Sequence, residues 1–348
     1  MLWQRKKLTR KMLHIIIGIL FLVYVIIPLM VLIFPSIVAF MVYANAFSSF
    51  NLRKPSEAGL RAAKQIDLRV DSGDTLGVWH ILPESAADKP VIEDQFSSYL
   101  ADGLPIFIYL HGKGGTRAQK TRVATYVVIQ GQNCHIITFD YRGYADSTGE
   151  ASEKNMVEDS VAVFYWVKAH SGSSPIFLWG HSLGSGIAVQ VARCLSPYEE
   201  SLAGVVLESS FNNLHEVLDH YRLTAPYRPF PLLMKIFHHA LKRNDIQFSS
   251  DQQFRDMSNN TVFCSIIHVE CPILMLHAED DEIIPLSLAR KLYSIAAETR
   301  SVNGSKVLLH EFPAKGYGHN FLHHAPDFGG VVRQFISEYD EVDEAGQT

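Results

Sequence analysis

The sequence predicts an α/β protein whose mostly parallel, doubly wound sheet follows one N-terminal membrane-spanning helix. Short apolar runs alternate with stretches of helical periodicity through most of the chain, which is typical of parallel strands joined by helices. A strand, a sharp turn and a helix are predicted around Gly180-x-Ser182-x-Gly184. Residues 12 to 52 contain no Asp, Glu, Lys or Arg, so this segment can enter a membrane.

The N-terminal apolar segment is long enough to span a bilayer. Residues 13–34 are dominated by Ile, Leu, Val, Phe and Met, and a bilayer core of ~30 Å needs about 20 apolar residues in a helix. Pro28 and Pro35 predict a kink and an end of this helix. The apolar continuation over 37–50 is expected at the interface or against the domain behind it. A cleavable signal peptide ending at Ala44-Asn45-Ala46 is the competing interpretation, but the apolar stretch is too long for one.

Charge predicts the orientation of this span. Five basic residues lie between Arg5 and Lys11, and none follows the span until Arg53, which favours a cytoplasmic N-terminus. Two glycosylation sequons, at Asn259 and Asn303, agree with a lumenal or extracellular position for the rest of the chain. The predicted parts are a cytoplasmic basic tail (1–11), a transmembrane anchor with an interfacial segment (12–43) and an α/β domain (44–348).

The α/β domain opens with an antiparallel pair of strands. Residues 65–70 and 75–82 are strand candidates joined by Ser72-Gly73-Asp74, a turn sequence suited to a hairpin. Residues 85–103 are polar and are predicted to be a loop. The next strand, 105–110, ends at the glycine-rich stretch His111-Gly112-Lys113-Gly114-Gly115.

Strands and helices then alternate to the C-terminus, apart from one insertion. Residues 211–263 are rich in aromatic residues, proline and histidine. They are predicted to be a cap over the carboxyl edge of the sheet, where open α/β sheets place their sites. Further strands are predicted at 135–139, 175–179, 202–207, 272–277 and 306–312, and further helices at 117–130, 154–169, 286–297 and 326–339, besides the helix that follows Gly184.

Ser182 is the predicted nucleophile. A nucleophile elbow places its serine in a strained turn between strand and helix, and small residues are needed where the helix passes close to the strand. Gly180 and Gly184 meet that need. The competing interpretation is a glycine-containing loop whose serine only caps a helix.

A serine nucleophile needs a base and an acid that orients the base. In this type of fold the order along the chain is serine, acid, histidine. Asp281 follows the strand 272–277 and His319 follows the strand 306–312, so both reach the sheet edge that carries Ser182. Glycines beside His319 allow the loop that an imidazole needs. The alternatives for the acid are Asp280, which is expected to be structural, and Glu208. The alternatives for the base are His310, His323 and His324.

Acyl transfer also needs two hydrogen-bond donors for the oxyanion. The backbone N–H of Leu183, directly after the nucleophile, is one candidate. The backbone N–H of Lys113, in the loop after strand 105–110, is the other. The glycines of this loop match neither a Walker A loop nor a dinucleotide fingerprint, so a phosphate-binding role is not favoured.

Composition excludes several other classes. The formal net charge is −5 at pH 7 despite the basic N-terminus, which argues against a nucleic-acid partner. Four cysteines show no metal-binding spacing and are too few for a disulfide framework. They are expected to be buried thiols, with a Cys264–Cys271 bridge as the alternative. Neither a metal nor a cofactor is expected.

Six motifs follow one another along the chain: Tyr109 to Arg117, Phe139 to Gly143, Trp179 to Gly184, Leu207 to Ser209, His277 to Asp281 and Arg290 to Ala297. Together they resemble one family, the membrane-anchored lipases of the α/β-hydrolase domain-containing protein twelve type. The resemblance implies an α/β-hydrolase fold, the triad Ser182, Asp281 and His319, and an integral endoplasmic reticulum protein with a lumenal catalytic domain. The sequence departs from the family at Gly318, where the family has arginine, and across 211–263.

The resemblance further implies a substrate class, lysophosphatidylserine and other lysophospholipids or monoacylglycerols, cleaved beside the membrane. Basic residues exceed acidic ones over 211–245, and Arg222 and Arg228 are candidates to clamp an anionic headgroup by paired hydrogen bonds. An equal alternative is that these arginines face solvent or membrane headgroups. Two other functions stay open: an inactive binding or scaffold protein, and a thioesterase or peptidase that uses the same triad.

Overall fold

The computed structural model describes residues 2–45, 52–87, 93–195, 202–255, 271–300 and 305–346. The strands are β1 (Ala63–Arg69), β2 (Thr75–Ile81), β3 (Ile106–Leu110), β4 (His135–Phe139), β5 (Ile176–His181), β6 (Gly204–Glu208), β7 (Ile273–Ala278) and β8 (Val307–Phe312). The helices are α1 (Leu2–Phe21), α2 (Ile27–Ile33), α3 (Ser36–Tyr43), α4 (Lys120–Gln130), α5 (Glu153–His170), α6 (Leu183–Leu195), α7 (Leu214–His220), α8 (Pro231–Arg243), α9 (Ser250–Arg255), α10 (Leu286–Glu298) and α11 (Phe328–Gly346).

The chain packs as two compact units. The first contains Met1–Val42 and His215–Gln247, and the second contains Tyr43–Leu214 and Phe248–Thr348. Most of the predicted cap insertion therefore packs in the same unit as the N-terminal helices. The predicted boundaries of the tail, anchor and α/β domain stay predictions.

The N-terminal helices form one long apolar rod. α1 continues through a π-helical turn, Leu22–Ile26, into α2, and the stretch Arg10–Ile33 is long and apolar enough to cross a membrane. The π turn lies just before Pro28, whose ring cannot fit against the carbonyl four residues earlier in a regular α-helix. The helix ends at Ile33, ahead of Pro35, as the prolines predict.

The second unit is built on a β-sheet. Among the described residues the sheet has eight strands in the order β1-β2-β4-β3-β5-β6-β7-β8. β2 pairs antiparallel with β1 and with β4, and the pairs from β4 through β8 are parallel. The predicted mostly parallel, doubly wound sheet is confirmed. β3 to β7 are buried along their whole length, which explains their continuous apolar sequences.

The strand order reverses at β3. The chain leaves β3 for β4 on one side and then returns, through α5, to β5 on the other side. Open α/β sheets bind ligands outside the carboxyl ends of the strands at such a reversal. The loop after β3 and the turn after β5 meet at this edge.

Aromatic rings join the sheet to α11. The ring of Phe177 on β5 lies 6.0 Å from that of Phe335, and Trp179 lies 5.9 Å from Phe328, measured between centroids. Burying such large rings is among the strongest apolar contributions to a core. β5, which delivers Ser182, is therefore held firmly in place.

The polar residues of segment 85–103 predict a loop throughout. The structure instead contains a 3-10 helix there, Glu93–Ala101. Phe96 and Leu100 are buried, and Phe96 packs with Leu82 and Ala86. Residues three apart share a face of a 3-10 helix, and the rings of Phe96 and Tyr99 lie 6.3 Å apart between centroids. Their signal is hidden in the sequence by the polar residues around them.

Candidate active site

Ser182 lies in the sharp turn between β5 and α6. Its backbone has φ +53°, a left-handed conformation that non-glycine residues rarely adopt. A Cβ atom at Gly184 would overlap the carbonyl oxygen of Leu110, and one at Gly180 would overlap that of Gly184. Both glycines are therefore required by close backbone approach, and the turn presents the Ser182 hydroxyl at the carboxyl edge of the sheet.

Three predicted residues lie in one hydrogen-bonded chain. The Oγ of Ser182 is 2.9 Å from Nε2 of His319, and Nδ1 of His319 is 2.7 Å from Oδ2 of Asp281. A carboxylate accepts, so Nδ1 carries the hydrogen and Nε2 is free to accept from the serine hydroxyl. This is the arrangement in which an imidazole can remove the proton of a serine.

Asp281 is held by the turn that follows β7. Its Oδ1 accepts the backbone N–H groups of Ile283 and Ile284, both at 2.9 Å. Burial alone would raise the pKa of Asp281, but the hydrogen bond and charge of His319, the N–H of Ile284 and the nearby His277 hold it below the ordinary value. The carboxyl is therefore ionised and faces His319 in a fixed direction.

The neighbouring Asp280 binds the histidine loop instead. Its two carboxylate oxygens accept the N–H of Gly316 at 2.6 Å and the N–H of Gly318 at 2.9 Å. Both glycines have positive φ, +83° and +49°, which the turn before His319 requires. Asp280 thus shapes the loop, and Asp281 contacts the imidazole.

The loop after β3 passes directly beside the nucleophile. A Cβ atom at Gly112 would lie 3.0 Å from the carbonyl oxygen of His181 and 3.1 Å from Cβ of Ser182, so only glycine fits there without a shift of its neighbours. Lys113 follows, with an exposed side chain, and Leu183 begins α6. The two predicted oxyanion donors therefore lie on the segments that flank Ser182.

Arg122 organises this loop, and the sequence did not predict it. The buried guanidinium donates to the carbonyl oxygens of Gly112 (3.0 Å), Gly114 (2.6 Å) and Thr116 (2.7 Å). With its carbonyls turned toward Arg122, the loop is free to direct N–H groups elsewhere. Arg122 stands on α4 among apolar residues, and its spacing carries no signal of this contact.

The other carboxylate and histidine candidates have different partners. The backbone carbonyl of Glu208 accepts the N–H of Ser182 at 2.9 Å, while its carboxylate accepts from Nε1 of Trp179 at 2.9 Å. Burial raises the pKa of Glu208 to about 7, although the bond from Trp179 opposes this. His310 pairs with Asp327 at 3.1 Å. The rings of His323 and His324 pack edge to face, with centroids 4.3 Å apart.

The remaining predicted residues belong to the first unit or lie outside the described residues. Arg222 and Arg228 are exposed and belong to the first unit, and Arg228 donates to the carbonyl oxygen of Tyr221 at 2.9 Å. Asn259 and Asn303 lie outside the described residues, as does Cys264, so glycosylation and the Cys264 bridge stay predictions. Within the described part of the chain, no group of three or more His, Cys, Asp or Glu side chains is placed to hold a metal ion.

Comparisons with known proteins identify the family of the chain. A model of the α/β hydrolase fold family matches residues 105–233. Lysophosphatidylserine lipase ABHD12 of Rattus norvegicus is 35% identical over 97% of this chain and 81% of its own length. The same-named protein of Danio rerio is 34% identical over 90% and 81%, and protein ABHD12B of Homo sapiens is 33% identical over 88% and 82%.

Solved structures share the fold at low sequence identity. An esterase of Pyrococcus furiosus superposes with a TM-score of 0.58 at 14% identity, covering 84% of this chain and 96% of the esterase. An α/β hydrolase of Vibrio vulnificus superposes with a TM-score of 0.61 at 17% identity, covering 86% and 92%. At such identities the likeness establishes the fold alone.

Proposed function

The chain belongs to the ABHD12 family of α/β hydrolases, and we propose that it is a membrane-bound serine lipase that cleaves the acyl ester of lysophosphatidylserine, of other lysophospholipids and of monoacylglycerols. The relatives carry the name lysophosphatidylserine lipase, which supports the lipid class. The observation that carries the proposal is the hydrogen-bonded chain from Asp281 through His319 to Ser182.

Acylation begins when Oγ of Ser182 attacks the acyl carbonyl carbon as Nε2 of His319 takes the hydroxyl proton. The backbone N–H groups of Leu183 and Lys113 donate hydrogen bonds to the carbonyl oxygen and stabilise the negative charge that develops on it. The bond between the acyl carbon and the glycerol oxygen then breaks. His319 returns the proton to the departing oxygen, which leaves an acyl-serine.

Deacylation repeats these steps with water as the nucleophile. His319 takes one proton from the water, the hydroxide attacks the acyl carbon, and the bond to Oγ of Ser182 breaks. The proton passes from His319 back to Ser182, and the fatty acid leaves. Asp281 stabilises the imidazolium in both halves of the cycle through the 2.7 Å bond to Nδ1.

Membrane attachment brings the enzyme to its substrate. We place residues 1–11 in the cytoplasm, the apolar helix that continues from them to Ile33 across the endoplasmic reticulum membrane and the hydrolase unit in the lumen. The basic residues that precede the span support this orientation. In sealed microsomes the hydrolase unit should resist added protease, and glycosidase treatment should shift its mass if Asn259 or Asn303 is modified.

The function is tested in membranes from cells that express the full chain. A fluorophosphonate probe should label the parent protein, and lysophosphatidylserine should be converted to fatty acid and glycerophosphoserine. Ser182→Ala should lose both. Ser210→Ala is the matched control, because Ser210 is also buried but has no role in the mechanism, and it should keep both. Labelling without lipid turnover would favour another acyl substrate, and no labelling would favour a binding protein.

A further inference from the structure

Helix α8 of the insertion lies along the last turns of the membrane-spanning helix. α8 packs against α2. At one end, the ring of Phe230 lies 5.2 Å from that of Tyr24, and at the other end Nδ2 of Asn244 donates to the carbonyl oxygen of Pro35 at 3.0 Å. Two contacts at opposite ends fix the direction of α8: it runs parallel to the span.

This packing buries one side of the span and one side of α8. Pro28 and Val31 of α2 are buried, whereas most residues earlier in the span are exposed. On α8 the buried side includes Met234 and Phe237. Phe237 also contacts the ring of Tyr227 at 4.8 Å. The insertion is therefore tied to the anchor by an apolar interface of its own.

The insertion carries three exposed large apolar side chains, here called the insertion patch. Leu223 is 58% exposed, Phe230 is 47% exposed and Leu232 is 77% exposed. Single exposed apolar residues are common on soluble surfaces. These three, however, lie in one short stretch that is seated against a helix long and apolar enough to span a membrane.

We propose that the insertion patch enters the lipid bilayer beside the anchor, as a second membrane-contacting element of the protein. Tyr24 belongs to the span Arg10–Ile33. Phe230, whose ring touches Tyr24, must lie at the same depth as Tyr24. An exposed apolar side chain at that depth faces lipid rather than water, so the bilayer is the partner that fits the patch.

Charged residues near the insertion patch limit how deep it enters the bilayer. Arg222, Arg228 and Lys235 are exposed around the patch, and charged side chains avoid the hydrocarbon core but bind anionic headgroups. Tyr24 and Tyr227, whose rings lie 6.1 Å apart, are of the residue type that favours the membrane interface. These groups draw the insertion patch toward the headgroup boundary rather than the centre of the bilayer.

The second contact has a mechanical consequence. A single spanning helix can tilt in a fluid bilayer. A helix with a second apolar element packed along one side cannot tilt away from that side without pulling the element out of the lipid. The insertion patch thus limits the tilt of the first unit relative to the membrane.

The test uses the full chain reconstituted in phosphatidylcholine vesicles. Leu223→Cys and Leu232→Cys are labelled with bimane, and Lys242→Cys, exposed near the other end of α8, is the matched control. Lipids with a doxyl group on the acyl chain quench a label in the bilayer, and iodide on both sides of the vesicle quenches a label in water. The parent protein with its four native cysteines gives the background.

The labels at 223 and 232 should lose emission to the doxyl lipid and keep it in iodide, whereas the label at 242 should behave in the opposite way. Equal iodide quenching at 232 and 242 would overturn the proposal. So would a label at 232 that neither quencher reaches, because a protein partner would then cover the patch. Both substituted leucines are exposed, and an unchanged melting temperature checks that each variant is folded.

Discussion

His181, the residue before the nucleophile, holds the backbone of the base: its Nε2 lies 3.0 Å from the carbonyl oxygen of His319. A carbonyl can only accept, so Nε2 carries the hydrogen. The hydroxyl of Ser209 donates to the same oxygen at 3.2 Å. Burial lowers the pKa of His181 to about 3, so the side chain stays neutral and the bond persists across the working pH range.

His181 is therefore expected to act as a positioning residue. His181→Leu removes the donor and should let the His319 loop shift, with a loss of about 10²-fold in kcat, the scale expected for a displacement of about 1 Å. His181→Gln keeps an N–H near the same place and should recover much of that loss, while KM changes little in either variant. Steady-state kinetics on lysophosphatidylserine measure both. Equal activity in the two variants would argue against this role.

Asp281 and Asp280 should differ sharply in their effect on catalysis. Asp281→Asn leaves the geometry but favours the wrong tautomer of His319, so kcat should fall by ~10⁴, as in serine proteases. Asp280→Asn retains one acceptor for the amides of Gly316 and Gly318 and should cost far less. Both kcat values come from one lipid assay. The reverse ranking would assign the acid to Asp280.

Arg122 should affect kcat through the loop that follows β3, which carries the predicted oxyanion donor Lys113. Arg122→Gln removes the donors to Gly112, Gly114 and Thr116, so the loop should lose its fixed direction. Removing one oxyanion donor typically costs about 10²–10³ in kcat, and a loss toward the lower end is expected, with a smaller change in KM. Lys120→Gln, an exposed position on the same helix, is the control. An unchanged kcat in Arg122→Gln would separate this residue from the oxyanion site.

Glu208 should make stability depend on pH. Burial raises its pKa from 4.5 to about 7, so the folded protein favours the protonated form, whereas the unfolded chain ionises near pH 4.5. The stabilisation is full below about pH 4.5 and is lost as pH rises to 7, a loss of roughly 3 kcal/mol.

Glu208→Gln removes that loss and keeps an acceptor for Trp179. The free energy of unfolding of the variant should therefore rise relative to the parent between about pH 4.5 and pH 7. Denaturant unfolding in detergent at several pH values measures the difference. A constant difference across this range would contradict the raised pKa. Lipase activity should survive, because Glu208 is not the acid.

Substitutions of Arg222 and Arg228 test whether these residues recognise the substrate headgroup. A guanidinium can clamp a phosphate or carboxylate with two hydrogen bonds, so the parent should hydrolyse lysophosphatidylserine faster than monoacylglycerol of the same chain. Arg222→Ala or Arg228→Ala should narrow the ratio of the two kcat/KM values. Arg243→Ala, an exposed arginine at the end of α8, should not. Equal kcat/KM values for the two lipids in the parent, in one detergent, would leave no role for the clamp.

Residues close together along the chain were enough to predict several features of the fold. The glycines beside Ser182 predict the elbow because each removes a side chain from a place where two backbones meet. Strand periodicity predicts the sheet, and the carboxyl ends of parallel strands share an edge, so chain order alone brings Asp281 and His319 toward Ser182. The Arg10–Ile33 helix follows from length and apolarity.

The remaining features depend on contacts between distant residues. Asp280 and Asp281 are adjacent and chemically identical, so only the folded turn decides which faces the imidazole. Arg122 turns back onto a loop that precedes its helix, and no periodicity encodes that direction.

By itself, the sequence determined the strands, the elbow and the long apolar helix, because each is specified by residues close together along the chain. The tertiary structure alone decided that Phe230 lies against Tyr24 and that His181 holds His319. Such pairings join segments far apart in sequence, and they form only when complementary surfaces meet in the folded chain.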